Sequence, residues 1–153
     1  MNIAKVLGAA AILAAVATGA PTPAGAGGPT TPTAAELSGT YTFTVQTGNT
    51  TTWAITPCGP GCATVAATNS SAGNAPYTGQ ARLAGDQWNM TAARPDALTC
   101  DDNSRAPGTT IYSWGAVTFA GTAFSQGAPG VCGSADTEGV RGPTSEFTLT
   151  KVG

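Results

Sequence analysis

Apolar and polar side chains alternate along most of the chain beyond residue 36. In the stretch from Leu37 to Cys62, Tyr41 and Phe43 are separated by threonines, and Trp53 and Ile55 repeat the same pattern. A period of two residues is typical of a strand that buries one face. A Gly-Asn pair at positions 48 and 49 lies between the two runs and tolerates the positive φ angles of a tight reversal. The stretch therefore predicts a β-hairpin.

Further strand-like segments follow at short intervals. They are Cys62–Thr68, Tyr77–Leu83, Gln87–Ala93, Thr109–Phe119, Thr122–Gln126 and Thr144–Val152. No segment after the N-terminal region has a helical period, so the spacing of these strands indicates an all-β fold. We predict a single antiparallel meander of about eight strands, closed as a small β-barrel with its last strand beside its first, because closure removes both exposed edges. A β-sandwich of the same strands is the alternative.

The segment from Arg94 to Gly108 interrupts this pattern. It contains two prolines and the run Asp-Asp-Asn-Ser, which are typical of turns and loops. We therefore expect it to be the longest irregular region of the domain, apart from a short strand near Leu98–Cys100.

The first 26 residues have the organisation of a secretory signal peptide. Lys5 provides the positive start, an apolar run from Val6 to Ala17 follows, and Ala24-Gly25-Ala26 is a small-residue cleavage site. We predict cleavage after Ala26, a disordered Gly/Pro/Thr-rich tail over residues 27–36 and one folded domain over residues 37–153. An uncleaved membrane anchor is the alternative, but the apolar run is shorter than the ~20 residues that cross a bilayer. The expected location is extracytoplasmic, in the cell envelope or outside it.

Export changes the interpretation of the four cysteines, because an oxidising compartment favours disulfides. We favour the pairs Cys58–Cys62 and Cys100–Cys132 among the three possible pairings. In the intervening Gly-Pro-Gly, Pro60 and Gly61 suit the two central positions of a tight turn, which brings the flanking cysteines within bridging range. A zinc site is the competing interpretation, but only the first pair has the close spacing of structural zinc ligands.

Composition narrows the possible functions. Charged residues make up only 9% of the chain, which also contains 21 glycines and 11 prolines, as suits short strands joined by many turns. The net charge of −2 argues against nucleic acid and anionic membranes as partners. The chain has no histidine, which excludes a Ser-His-Asp triad, a Cys-His dyad and a histidine-ligated metal centre. Phosphate-binding and dinucleotide motifs are also missing, so we predict a protein that is not an enzyme and has no cofactor.

Carboxylates are the remaining candidates for chemistry. Asp101 and Asp102 lie in the polar segment, Asp136 lies in a later loop, and both regions flank the predicted Cys100–Cys132 bridge. They are weak calcium candidates, because calcium requires several oxygen ligands around one point and their spacing matches no EF-hand loop. Solvated turn residues are the simpler interpretation. A carboxylate-dependent hydrolase is the remote alternative.

Aromatic residues on the inward faces of the predicted strands are the candidate ligand contacts. They are Tyr41, Trp53, Trp88, Tyr112 and Trp114. In a hollow barrel these side chains would line a cavity for an apolar small molecule or a lipid, whereas in a filled barrel they would be core anchors. A filled core would favour the alternative function, a protein-protein or cell-wall interaction module or a structural module.

Three features of the chain belong together: the signal sequence, the segment W-x-x-x-P-C-G-P-G-C-A from Trp53 to Ala63, and the later cysteine pair. In these features the chain resembles the small exported proteins of unknown function found in mycobacteria and related actinobacteria. That resemblance implies a location at the envelope and no particular activity. The opening Gly39-Thr40-Tyr41 strand and the closing strand over Phe147–Val152 are also similar to those of avidin- and lipocalin-type barrels. The second likeness concerns the fold alone. Together these patterns favour an exported, noncatalytic β-domain whose partner is a small apolar ligand or an envelope macromolecule.

Overall fold

The computed structural model of this protein describes residues 36–133 and 139–153. The predicted signal peptide, residues 27–35 of the predicted tail and the calcium candidate Asp136 lie outside the described residues. The described part of the chain contains no helix that is long and apolar enough to cross a membrane.

Eight strands form the described domain. They are β1 (Gly39–Val45), β2 (Thr50–Gly59), β3 (Cys62–Thr68), β4 (Tyr77–Ala84), β5 (Gln87–Thr99), β6 (Arg105–Gly115), β7 (Ala120–Gln126) and β8 (Ser145–Lys151), with one 3₁₀ turn at Val131–Gly133. Each strand pairs antiparallel with the next, and β8 pairs with β1, so the sheet closes into a barrel. The predicted all-β meander and its closure are confirmed, and the β-sandwich alternative is wrong.

The registers place the large apolar side chains of neighbouring strands side by side in the interior. Tyr41 is opposite Trp53 between β1 and β2, and Trp88 is opposite Trp114 between β5 and β6. Strand β3 contributes only small inward residues, since Ala63, Val65 and Ala67 are all buried. Because an eight-stranded barrel has little more interior space than its own side chains occupy, small residues on one wall leave room for indoles from the others.

The antiparallel order gives the barrel two different ends. The start of β1, the end of β8 and the short turns at residues 60–61, 85–86 and 116–119 lie at one end, which we call the closed end. The connections at residues 46–49, 69–76 and 100–104, and the described residues 127–133 and 139–144 between β7 and β8, lie at the other end, which we call the mouth. Loops at a barrel mouth are a common place for ligand sites because the rigid sheet positions them.

The segment from Arg94 to Gly108 is not the irregular region that its sequence predicts. Strand β5 continues to Thr99 and β6 begins at Arg105, so only residues 100–104 form the connecting turn. The register shifts between Arg94 and Leu98, and Pro95 falls inside this irregularity. A bulge leaves residues without ladder partners, so a proline there removes no hydrogen bond from the sheet. The β5–β6 hairpin therefore extends beyond the last β6–β7 pair, at Thr109, and forms a wall of the mouth.

The strand predicted over Thr109–Phe119 is also shorter than expected at its other end. Strand β6 ends at Gly115, and the Phe119 amide donates to the Gly115 carbonyl across the turn that follows. Val117 lies in this turn, and it is consequently 68% exposed.

Both predicted disulfides are confirmed. Cys58 and Cys62 bridge the β2–β3 connection at the closed end, with a Cα–Cα distance of 5.0 Å. Cys100 and Cys132 tie the residue after β5 to the 3₁₀ turn, with a Cα–Cα distance of 5.3 Å. All four sulfurs are engaged in these bridges, so none is available as a zinc ligand.

Candidate functional site

The five aromatic residues predicted to contact a ligand are all buried in one core cluster. Trp53 lies at the centre of the barrel, where its ring centroid is 5.4 Å from that of Tyr112 and 5.7 Å from that of Trp114. Trp88 stacks on Trp114 at 6.4 Å, whereas Tyr41 stacks on Phe119 at 5.8 Å. These contacts fill the middle of the barrel with side chains. Space for a ligand therefore lies at the ends of the barrel.

The mouth contains a cavity of about 480 Å³. Tyr112 is the one predicted aromatic residue that lines it, together with Phe43 and Tyr77 from the inner layer of the core. Apolar residues line it from three structural elements: the end of β1, the β5–β6 hairpin and the connection between β7 and β8. Its lining includes Phe43, Tyr77, Arg94, Asp101, Thr110, Tyr112, Phe124, Ser125 and Arg141.

Arg94 places a charged side chain among the inward-facing residues at the mouth. It continues the inward series of β5, after the buried Trp88, Met90 and Ala92. Because β5 extends beyond its last pair with β4, at Thr91, the fourth inward position falls at the mouth, where a long side chain can bury its methylene groups and turn its head group toward water. The Arg94 side chain is 12% exposed.

The Arg94 guanidinium is held by three neighbours. Its Nη2 atom is 3.1 Å from Oδ1 of Asp96, its Nη1 atom donates to the Tyr112 hydroxyl at 3.5 Å, and its Cζ atom lies 4.7 Å from the centroid of the Tyr77 ring. The second Asp96 oxygen accepts from the Ala75 amide at 2.7 Å. The ion pair is thus anchored to the 69–76 connection, and its charge is balanced within the site.

A hydrogen bond links the mouth to the aromatic core. The indole Nε1 of Trp53 donates to the hydroxyl of Tyr77 at 3.1 Å. Burial, reinforced by the nearby Tyr112 hydroxyl, raises the pKa of Tyr77 far above its ordinary value, so this phenol stays protonated. The neighbouring Tyr112, Tyr77 and Asp96 outweigh the opposing effect of burial and raise the pKa of Arg94, which remains charged.

Other polar groups of the cavity are also hydrogen-bond donors. Thr110 is the buried polar residue of the described core, and its Oγ1 atom lies 2.8 Å from Oγ of Ser125. One of the two hydroxyls donates to the other, so the second hydroxyl proton of the pair is left over. Within residues 36–133 and 139–153, the buried Nε of Arg94 has no hydrogen-bond partner. The hydroxyl pair and the terminal nitrogens of Arg94 therefore leave hydrogen-bond donors without a partner at the cavity floor.

The predicted calcium candidates do not form a site among the described residues. Asp101 and Asp102 are both exposed, and residues 36–133 and 139–153 contain no cluster of three His, Cys, Asp or Glu side chains suited to a metal. Asp102 accepts hydrogen bonds from the Ser104 hydroxyl and amide, which lower the pKa of its carboxyl group. This arrangement is typical of a turn residue that closes its own loop.

Two other concave regions are less suited to a small molecule. A groove of about 620 Å³ runs along the outer wall over β1, β7 and β8, but it is open to solvent, and its Gln46 and Glu146 side chains bond to each other at 2.6 Å. A cavity of about 420 Å³ at the closed end is lined by Trp88 and the turn at residues 59–62. It lacks the buried charge and the convergent hydroxyls of the mouth.

Sequence reasoning missed most of the polar residues at the mouth. Tyr77, Arg94, Thr110 and Ser125 were not among the candidates. Arg94 was missed because the proline and the acids after Ala93 favoured a loop. The signal for Arg94 was present, since it occupies the next inward position after Ala92 in the alternation. Comparison of the chain with protein-family models, with curated proteins and with solved structures gives no significant match.

Proposed function

We propose that this protein is a noncatalytic extracytoplasmic binding protein that holds a small, mainly apolar molecule in the mouth of its barrel. The cavity of about 480 Å³ supports this proposal, because sites for small molecules typically have volumes of ~300–1,000 Å³ and combine apolar walls with a few polar groups. The predicted signal peptide and the two disulfides support an extracytoplasmic location.

The observation that carries the proposal is the cluster of Arg94, Tyr77 and Tyr112 in the lining of an open cavity, with Asp96 paired to Arg94. A buried ion pair contributes little to stability compared with apolar side chains of the same volume. The apolar core cluster of the barrel includes neither Arg94 nor Asp96. An ion pair outside that core, at an opening of suitable size, is best explained by ligand contact.

Binding is tested with Nile red, an uncharged dye whose emission increases in apolar surroundings. The full chain is expressed into an oxidising compartment so that both disulfides form. We expect saturable binding, and we expect the amide NMR shifts that follow dye addition to concentrate on residues of the mouth, such as Tyr77, Arg94 and Tyr112. Absence of binding, or shifts centred on the closed end, would contradict the proposal.

A pair of matched substitutions locates the site. Ala97 lines the mouth cavity, so A97W places an indole where the dye is expected to bind. Ala120 is exposed on the outer wall, so A120W adds the same bulk far from the cavity. We expect A97W to weaken dye binding at least about tenfold, which corresponds to about 1.4 kcal/mol, and A120W to leave it unchanged. Equal affinities in the two variants would show that the dye binds elsewhere.

A further inference from the structure

We infer that the molecule bound at the mouth is uncharged and carries a hydrogen-bond acceptor, such as an ester or ketone carbonyl, that contacts Arg94 at the cavity floor. This inference rests on the proposed function and specifies its ligand class. It follows from two properties of the site: an excess of hydrogen-bond donors and a charge balance that is already complete.

The donor excess is seen at the guanidinium. Arg94 has five N–H groups, of which one is directed to Asp96 and one to Tyr112. Three N–H groups remain: that of Nε, which is buried out of reach of the cavity and has no partner among the described residues, and one on each terminal nitrogen. Because the Arg94 side chain lines the cavity, its terminal N–H groups are the donors that an acceptor on the ligand can engage, and hydrogen bonds to a charged group are among the stronger ones. An alkane leaves the donors unused.

The charge balance distinguishes a neutral acceptor from a carboxylate. Asp96 is 14% exposed, and both of its oxygens are engaged, one by Arg94 and the other by the Ala75 amide at 2.7 Å. A ligand carboxylate would have to share Arg94 with Asp96, which would leave a net negative charge in a half-buried site. Such a charge is costly, whereas a carbonyl group accepts the same hydrogen bonds without any charge to desolvate.

Charges at the rim do not reverse this preference. Asp101 and Arg141 both line the outer part of the cavity, so their charges oppose each other. The Arg141 guanidinium stacks 3.9 Å above the Phe124 ring, and the side chain is exposed, so solvent screens its attraction for an anion. The Arg94–Asp96 pair therefore determines whether the site prefers a neutral or a charged ligand.

Three probes of one chain length test the inference: methyl decanoate, decanoic acid and decane, each in competition with Nile red at neutral pH. The acid is ionised under these conditions. We expect the ester to displace the dye at a concentration at least about tenfold lower than either the acid or the alkane. The A120W variant serves as the control and should show the same order.

The D96N variant tests the charge argument directly. Asparagine keeps an oxygen for the Ala75 amide but removes the negative charge beside Arg94. We expect decanoic acid to bind D96N at least about tenfold more tightly than it binds the unaltered protein, while methyl decanoate changes much less. A merely structural role of Asp96 would weaken both probes together.

The outcomes separate this inference from the proposed function. If none of the probes displaces the dye and the dye itself does not bind, the proposed function fails. If all three bind equally, or if decanoic acid binds the unaltered protein most tightly, small-molecule binding stands and the ligand class inferred here is wrong. An unchanged affinity of D96N for decanoic acid would also overturn the inference.

Discussion

Removal of the Cys100–Cys132 disulfide should destabilise the protein about twice as much as removal of Cys58–Cys62. The first bridge joins cysteines 32 positions apart and the second joins cysteines 4 positions apart. In the chain-entropy model, closing loops of these lengths restricts the unfolded chain by about 4 and about 2 kcal/mol, respectively. The double variants C100A/C132A and C58A/C62A should therefore lose about these amounts of unfolding free energy.

The positions of the bridges in the barrel support the same order. Cys62 is paired with Gly59 in the β2–β3 ladder, so the sheet already holds this turn closed when the bridge is absent. Cys132 lies in a 3₁₀ turn outside the sheet, in the connection between β7 and β8. The described residues of that connection are tied to the barrel by backbone hydrogen bonds such as Gly127 N to the Val140 carbonyl at 2.7 Å and Gly142 N to the Ser125 carbonyl at 2.8 Å.

Urea denaturation followed by tryptophan fluorescence measures both losses, since Trp53 and Trp114 are fully buried in the core. Amide hydrogen exchange gives a second readout. In C100A/C132A, exchange at Gly127 and Gly142 should accelerate more than exchange in β1 and β8, because the mouth connection can open without the barrel. The reasoning is refuted if C58A/C62A loses as much stability as C100A/C132A, or if exchange accelerates uniformly.

Three further predictions concern the core and the mouth. A methyl group at Gly121 would overlap the Ser113 carbonyl of β6, so G121A should lose at least about 1 kcal/mol of unfolding free energy in urea. G142A should lose much less, because its methyl group would meet Leu98 and Ser125 at ordinary contact distances. W53F removes the indole donor to the Tyr77 hydroxyl and should lose about 1–3 kcal/mol in the same measurement; an unchanged urea midpoint would contradict this expectation. Because burial raises the pKa of Tyr77 above its ordinary 10.0, the unfolded chain loses this proton at a pH where the folded protein keeps it, so stability should fall as the pH rises above about 10. In Y77F this fall should be smaller, as thermal unfolding in a series of alkaline buffers would show, and an identical pH profile would argue against the assignment.

The candidate site was less predictable than the fold because it depends on the end of one strand. The sequence around Arg94 combines a proline with acidic residues, and local propensity alone favours a loop there. In the folded protein, a register shift between Arg94 and Leu98 accommodates Pro95 and lets pairing with β6 resume. Pairing partners of this kind are distant in sequence, so local patterns do not reveal them.

For the interior aromatic residues, the sequence predicted burial correctly but could not show whether their side chains line a cavity or fill it. Alternation identified Tyr41, Trp53, Trp88, Tyr112 and Trp114 as inward residues, and all five are buried. Their packing against one another, with Trp53 at the centre, depends on which strands face each other across the barrel. Alternation assigns a face to a side chain but does not say whether the space beyond that face is empty.

The amino-acid sequence by itself determined the all-β class, the order of the strands, the inward faces and both disulfide pairs, because these depend on local periodicity, on turn chemistry and on cysteine spacing. The tertiary structure alone decided that the aromatic core is packed, that β5 and β6 extend past their neighbours, and that Arg94 meets Asp96, Tyr77 and Tyr112 at the mouth. The reason is physical: barrel closure brings together side chains from strands far apart in the chain, and the resulting contacts depend on register and packing across the whole sheet.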